Sequence, residues 1–468
     1  PEALVLAEHF ERGGEPERAV SLYRRAAEQA LEGDDFAAAI ARAERGAAHA
    51  EGEELARLLL LTAEAHKWLG SAAEAERCAA LAMRGFAPGS APWYVAASEA
   101  ASMRLRLGRH DDLAALAAEV RDAGLPVALP SVPPPGPPDS GPLVTPPHAL
   151  PAPLAAAATS AVARLAGSLL HDGQHRLAEA LIAAVDRSAG ALAERDLGVA
   201  ARLYALHASR ALCYGDPAGA LRFTELSIPA FVYTGDRRNA CLGRVNAAHA
   251  VLQLGDDRKA ALSLRAALAD AERMGLGNVS ALARQNLAAA LLRQGSLDEA
   301  RAAATAAIAA FSAQSNRRQE GRSRAYLADV LLAGSDADGA EREARAAVAC
   351  LSSIPPLEAF ALAVLAGVLL ARERVRAALE AAAEGVRLRA SLDGMEEGEA
   401  RLGLVYADCL WAAGDRGGAT AAIRAARERL LGRAARIDDP AWRSSFLARV
   451  PENARTAELA QEMDERDR

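Results

Sequence analysis

Aromatic side chains are scarce. They make up 4% of the 468 residues, which excludes a core of interlocking rings and leaves alanine and leucine to fill the interior. Cysteine is rarer still: Cys78, Cys213, Cys241, Cys350 and Cys409 are odd in number and scattered singly. That argues against a disulfide framework or a CxxC metal site and reads as buried thiols of a reducing cytoplasm. No basic excess exists, since 61 acidic against 54 basic residues give a net charge of -7, and a nucleic-acid binder is therefore not expected. Arg and Glu interrupt the alanine-rich stretches every turn or two, so no run of about eighteen bulky apolar residues forms and no membrane role is expected. The phosphate loop GxxxxGK[ST], the GxSxG elbow, HExxH and the kinase catalytic set are all missing. No catalytic residue, cofactor or metal is expected. His171-Asp172-Gly173-Gln174-His175 places two imidazoles and a carboxylate about a turn, but without a third ligand nearby they read as surface polar residues.

What the chain does have is a periodic pair of alanines twelve residues apart. It recurs at Ala26/Ala38, Ala63/Ala75, Ala166/Ala178, Ala208/Ala220, Ala248/Ala260, Ala288/Ala300, Ala328/Ala340 and Ala407/Ala419, with imperfect copies at Ala101/Leu113 and Leu365/Ala377 and another at Ala7/Ala19. Antiparallel helices joined by a short turn approach closely only where both carry a small side chain at the crossing. Between the paired residues lie Gly33-Asp34-Asp35, Gly215-Asp216-Pro217, Gly255-Asp256-Asp257, Gly295-Ser296 and Gly414-Asp415. Glycine is expected to supply the left-handed end of the first helix, and Asp or Ser to cap the second. The unit is one helical hairpin, stacked repeatedly.

With Arg284-Gln285-Asn286-Leu287-Ala288 leading to Gly295-Ser296-Leu297-Asp298-Glu299-Ala300, the chain resembles the tetratricopeptide repeat over nearly its whole length. The resemblance implies an all-α, right-handed superhelical solenoid of about ten to eleven antiparallel helix pairs. A spacing near forty instead of the family's thirty-four implies longer helices, and the family's large aromatics are nearly missing. The C-terminal segment and the opening Pro1 to Ala30 are also similar to the tetratricopeptide array of large bacterial signalling proteins that carry a serine/threonine kinase domain and an ATPase module. On that resemblance the chain is an excerpt and the non-catalytic sensor or regulatory part of such a protein. The alternative is a stand-alone scaffold or oligomerisation module.

The expected organisation is helical repeats over 1–123, a proline-rich linker over 124–153, repeats over 154–436, and a capping helix with a tail over 437–468. Twelve prolines between Pro126 and Pro153 forbid helix. A flexible spacer is preferred there over a docking tract, because such composition carries no address. In the C-terminal segment Asp439 is placed to start a helix with Pro440 in its first turn, Trp442 and Phe446 share a face, and Pro451 ends it.

Arg244, Arg284 and Arg324 recur at intervals of forty on first helices, with Asn246 and Asn286 two residues further on. In the family resembled, first helices line a concave groove, which implies Asn246 and Asn286 as peptide contacts with the arginines beside them holding carboxylates. The bland reading is that each repeated Arg pairs with a Glu or Asp of the preceding repeat and that the Asn is a structural part of the motif. Arg322, Asp329, Arg401, Asp408 and Trp411 are further groove candidates, Trp411 as an aromatic anchor. The expected partner is a protein or peptide in that groove, or the upstream kinase and ATPase domains of the same polypeptide.

Overall fold

The protein is represented by a computed structural model that describes residues 2–123 and 152–466. Two compact units form: Pro1–Leu206 with Pro229–Arg237, and His207–Ile228 with Arg238–Arg468. Every element among the described residues is helical. The chain runs through α1 (Glu2–Arg12), α2 (Pro16–Glu32), α3 (Phe36–Ala47), α4 (Gly52–Leu69), α5 (Ala72–Gly85), α6 (Ala91–Arg106), α7 (His110–Asp122), α8 (Ala152–His171) and α9 (His175–Ala193). Next come α10 (Leu197–Cys213) and α11 (Pro217–Tyr233), within which the boundary between the units falls. The second unit continues with α12 (Arg237–Gln253), α13 (Asp257–Arg273), α14 (Gly277–Arg293), α15 (Leu297–Ala313), α16 (Arg317–Ala333) and α17 (Ala337–Leu351). It ends with α18 (Pro355–Ala371), α19 (Val375–Ala390), α20 (Glu399–Ala412), α21 (Arg416–Ala434), α22 (Pro440–Arg449) and α23 (Pro451–Arg466).

Each even-numbered helix from α2 to α20 pairs in sequence with the one that follows it, giving ten hairpins, and the fold is an all-α, tetratricopeptide-like repeat array. Residues at positive φ recur at 215, 235, 255, 275, 295, 315 and 335, so the elementary step is twenty residues: a 17-residue helix, as in α12 to α16, and a three-residue turn. Glycine fills five of these positions, but Ser315 and Ser335 adopt the left-handed conformation themselves, as do Asp34 and Glu373. In Gly33-Asp34-Asp35 it is therefore Asp34, not the glycine, that turns the chain. Capping follows the acidic and amide residues. Asp256 accepts from Lys259 N at 3.0 Å, Asp336 from Gly339 N at 2.9 Å, Asp415 from Gly418 N at 2.8 Å and Asn316 from Gln319 N at 3.3 Å. Ser71 and Ser296 make no side-chain cap, contrary to the expectation for serine.

Measured from these capping residues, the small pair sits eight positions before and four positions after. Ala248/Ala260 about Asp256, Ala328/Ala340 about Asp336 and Ala407/Ala419 about Asp415 are buried as expected. Two sequence-derived pairs were out of register by one. Ala26 is fully buried as expected, but so is Ala27, and Ala39 is fully buried where Ala38 is half-buried, so Ala27/Ala39 keeps the spacing about Asp35; Ala366/Ala378 replace Leu365/Ala377, so that repeat is a perfect copy. Glycine serves the same purpose at tighter crossings. A Cβ on Gly321 of α16 would lie 2.5 Å from Leu351 Cγ and 2.9 Å from Cys350 Cβ of α17.

The proline-rich expectation over 124–153 lies outside the described residues apart from its end, where α8 already begins at Ala152. α8 packs against α6 and α9 within the first unit. Its Leu154–His171 stretch, with mean hydropathy 1.2, is long and apolar enough to cross a membrane, yet most of it is buried in the unit. Asp439 caps α22 through Ala441 N at 2.7 Å and Trp442 N at 3.2 Å, and Phe446 is buried. Pro451 opens α23, so the residues after it form a packed helix in place of the expected tail. Cys78, Cys213, Cys241 and Cys409 are buried free thiols and Cys350 is half-buried.

Gly321→Ala is expected to lower the unfolding free energy by about 1–3 kcal/mol, because the neighbouring backbones must separate. Gly432→Ala in α21, where nothing lies within 4 Å of the added carbon, should raise it by up to about 1 kcal/mol through helix propensity. Urea denaturation followed by circular dichroism compares the two.

Candidate functional site

An open cleft of about 420 Å³ lies within the second unit. Its walls come from first helices of successive hairpins: His249, Leu252 and Gln253 of α12, Leu292 and Arg293 of α14, Tyr326 and Asp329 of α16, Phe360 of α18, and Arg401 of α20. Seven residues are two helical turns, so positions seven and fourteen before a cap share one face. His249, Asp329 and Asp408 precede their caps by seven; Arg322 and Arg401 precede theirs by fourteen. Asp329 and Arg401 meet across the cleft as a bidentate pair, with one bond at 2.6 Å.

The floor is unlike the walls. Residues 391–398 connect α19 to α20, eight residues where neighbouring connections have three. This segment turns inward: Met395 is completely buried and Glu396 is 4% exposed. Glu396 receives Arg318 at 2.5 Å and Arg322 at 3.1 Å, while Glu397 receives Arg322 at 2.9 Å and the Tyr326 hydroxyl at 2.6 Å. Gln253 Nε2 donates to the Glu396 carbonyl at 3.2 Å. Burial opposes ionisation of Glu397, but the Arg322 charge and the Tyr326 bond overcome it and hold the carboxyl below its ordinary range. The same carboxylates keep Arg322 charged despite its burial, and Tyr326 is pushed well above the ordinary phenol by burial and by Glu397. At the rim, Arg433 donates to the Gly215 carbonyl at 3.1 Å and stays 3.9 Å from Glu399.

Three polar atoms around this floor have no partner: His249 Nδ1, Gln253 Oε1 and Arg322 Nε. His249 Nε2 lies 2.9 Å from Gln253 Nε2 and accepts from it, which leaves the ring proton on Nδ1. Burial, reinforced by Arg322, pulls this imidazole down to about 4.

The sequence-derived candidates divide into two sets. Asp329 and Arg401 meet in the cleft, and Arg322 lies behind its floor, bonded to Glu396 and Glu397. The Arg244, Arg284 and Arg324 row occupies a different face, where Arg244 meets Asp270 at 3.4 Å, Arg284 pairs with Glu272, and Arg324 bonds Glu320 at 2.8 Å and Glu343 at 2.7 Å. Only Arg284, with Glu272 of α13, reaches the preceding repeat; Arg244 pairs with α13 and Arg324 with α16 itself and α17, within their own hairpins. Asn246 is exposed while Asn286 is buried with Oδ1 unpaired, so these two equivalent positions do not share one environment. Asp408 and Trp411 lie outside the cleft. Burial raises the Asp408 carboxyl, and Trp411, 39% exposed, carries the Arg416 guanidinium 5.2 Å from its ring centre. The 171–175 turn is not a surface feature, since Asp172 and His175 are buried and Asp172 binds His110 and, at 2.6 Å, Gln174.

His249, Gln253, Arg318, Glu396 and Glu397 were missed. His249 was accessible by counting back seven from Asp256. The acidic segment was not, because α20 has 14 residues and the extra loop leaves the repeat spacing nearly unchanged.

No family model and no curated protein sequence matches the chain. Several solved structures align with it at low identity. A Rap protein complexed with competence and sporulation factor aligns at 11% identity over 80% of this chain and 98% of that one, with a TM-score of 0.49. A signal transduction ATPase with numerous domains and a tetratricopeptide repeat sensor, from Pyrococcus horikoshii, aligns at 15% identity and a TM-score of 0.44; it matches 80% of this chain, which spans about half (53%) of that protein. The APC/C hetero-tetramer Cut9-Hcn1 aligns at 14% identity over 98% of this chain and 89% of that one, with a TM-score of 0.42.

A histidine held neutral in the fold favours unfolding once the unfolded form can take a proton. Stability should therefore be intact above pH of about 6.5 and fall toward pH 4 by on the order of 2–3 kcal/mol from this group. His249→Gln should flatten that part of the profile, measured as urea midpoints across pH; an unchanged slope would show that His249 is not the source.

Proposed function

We propose that the chain is a non-catalytic protein-binding module of the cytoplasm, and that the cleft of its second unit receives a peptide segment of the partner. One observation carries this reading: the same walls already grip an irregular piece of polypeptide through a main-chain carbonyl and two carboxylates. Arginine and tyrosine donors on rigid helices, with an amide reaching the backbone, are the groups by which one polypeptide holds another. Arg322, Asp329 and Arg401 are the contacts assigned from the earlier candidates, and the Arg244, Arg284 and Arg324 row has a structural role.

The resemblance to kinase-ATPase signalling proteins supports a place for this module as their sensor or regulatory region. Partner occupancy of the cleft would then bias the array between conformations that the upstream catalytic domains read.

A photo-crosslinking amino acid at Ala289 or Leu292, in the cleft wall, is expected to capture the partner or the upstream domains. The same group at Leu262 of α13, which is 72% exposed, is expected to capture nothing. Adducts from Leu262 alone, or equally from all three positions, would overturn the assignment of the cleft.

A further inference from the structure

We infer that Glu396–Glu397 is a resident pseudo-ligand, and that the partner is an acidic peptide that displaces it from Arg318, Arg322, Tyr326 and Gln253. This rests on the peptide-binding reading of the cleft and adds the partner's chemistry and the means of its control.

A connection of eight residues could have looped into solvent at little cost. Instead it takes two carboxylates out of water, which is unfavourable unless each is paired and hydrogen-bonded. The bonds described at Glu396 and Glu397 are generic to an acidic peptide: two guanidinium groups and a phenol to carboxylates, and one side-chain amide to a backbone carbonyl. Nothing in the set requires that the peptide belong to this chain.

The fit is also incomplete. His249 and Arg322 are 5% and 4% exposed, and His249 Nδ1 and Arg322 Nε each present a donor with nothing to receive it, while Gln253 Oε1 lacks a donor. Buried polar groups left without a partner are unfavourable. A longer extended peptide brings what the short loop lacks, carbonyl oxygens for the two donors and an amide N–H for the acceptor, and the open space beside the loop gives it room.

Gly394 packs where a Cβ would come within 2.9 Å of the Tyr214 Cα, and Gly398 has φ +79° with Phe360 occupying the place of a side chain. Glycine at these two places lets the segment enter by close approach of its own backbone.

The test uses the whole chain and a fluorescein-labelled, N-acetylated peptide copying Leu392–Glu397, read by fluorescence anisotropy. Because the tethered loop competes at high effective concentration, the E396Q/E397Q variant is expected to bind the probe about tenfold more tightly than the unsubstituted chain. A probe with both glutamates replaced by glutamine should bind neither protein. Equal binding by the two proteins, or none by either while circular dichroism shows both folded, overturns the proposal. Should the variant fail to fold, hydrogen exchange on the unsubstituted chain decides. Amides of 393–398 are expected to exchange faster at saturating probe, and unchanged exchange overturns the displacement. Crosslinks from Ala289 and Leu292 that persist despite such a result would leave the cleft standing and remove only the pseudo-ligand.

Discussion

Everything in this fold depends on two helices approaching closely at one fixed place. The contact is made by a small residue eight before the cap and another four after it, both buried in repeat after repeat. Alanine suits the position because it permits the approach without the helix penalty of glycine. Gly321 appears where even a methyl group would collide. With this contact repeated, helix length and turn length lock into a twenty-residue step, and equivalent residues of successive first helices are carried onto common rows. The rows that build the cleft are a consequence of that periodicity.

On this regular frame the charged residues sort by environment. Where solvent is near, arginines of first helices meet carboxylates of their own and adjacent helices, as Arg324 does with Glu320 of α16 and Glu343 of α17; such pairs fix orientation and contribute little stability. Inside, the balance is different. In the first unit burial would raise the Glu99 carboxyl, yet Lys67 at 2.8 Å and Arg164 at 2.5 Å hold it down. Glu397 is held down in the same manner in the second, by Arg322 and Tyr326. Removing one member of such a cluster costs several kcal/mol because the other is left buried and uncompensated. A buried cluster on an irregular connection is therefore stable only while it is complete, and that makes it responsive to a competing carboxylate.

The periodic part of this architecture was legible in the residues. Repeating Ala248/Ala260, Ala288/Ala300 and Ala328/Ala340 with Gly-Asp turns between them announces hairpins, since few other arrangements need small residues at that interval. Register was legible only to within one residue where alanines crowd together, as at Ala26-Ala27 and Ala38-Ala39; composition cannot tell which of two adjacent methyl groups faces a neighbour. At the cleft, Arg322, Asp329 and Arg401 were reachable because they obey helical spacing. Arg318, Gln253 and the two glutamates were not, since Arg318 and Glu396 are 78 residues apart and Gln253 and Glu396 are 143 apart.

The sequence by itself determined the helices, their turns and the hairpin as the unit, because each is decided by neighbours within about forty residues, through propensity, capping and small-residue spacing. The tertiary structure alone decided which first-helix residues face a common space, and that an eight-residue connection folds into it. Those outcomes depend on how successive hairpins stack and on where buried carboxylates find cations, and neither is encoded in any local stretch of chain.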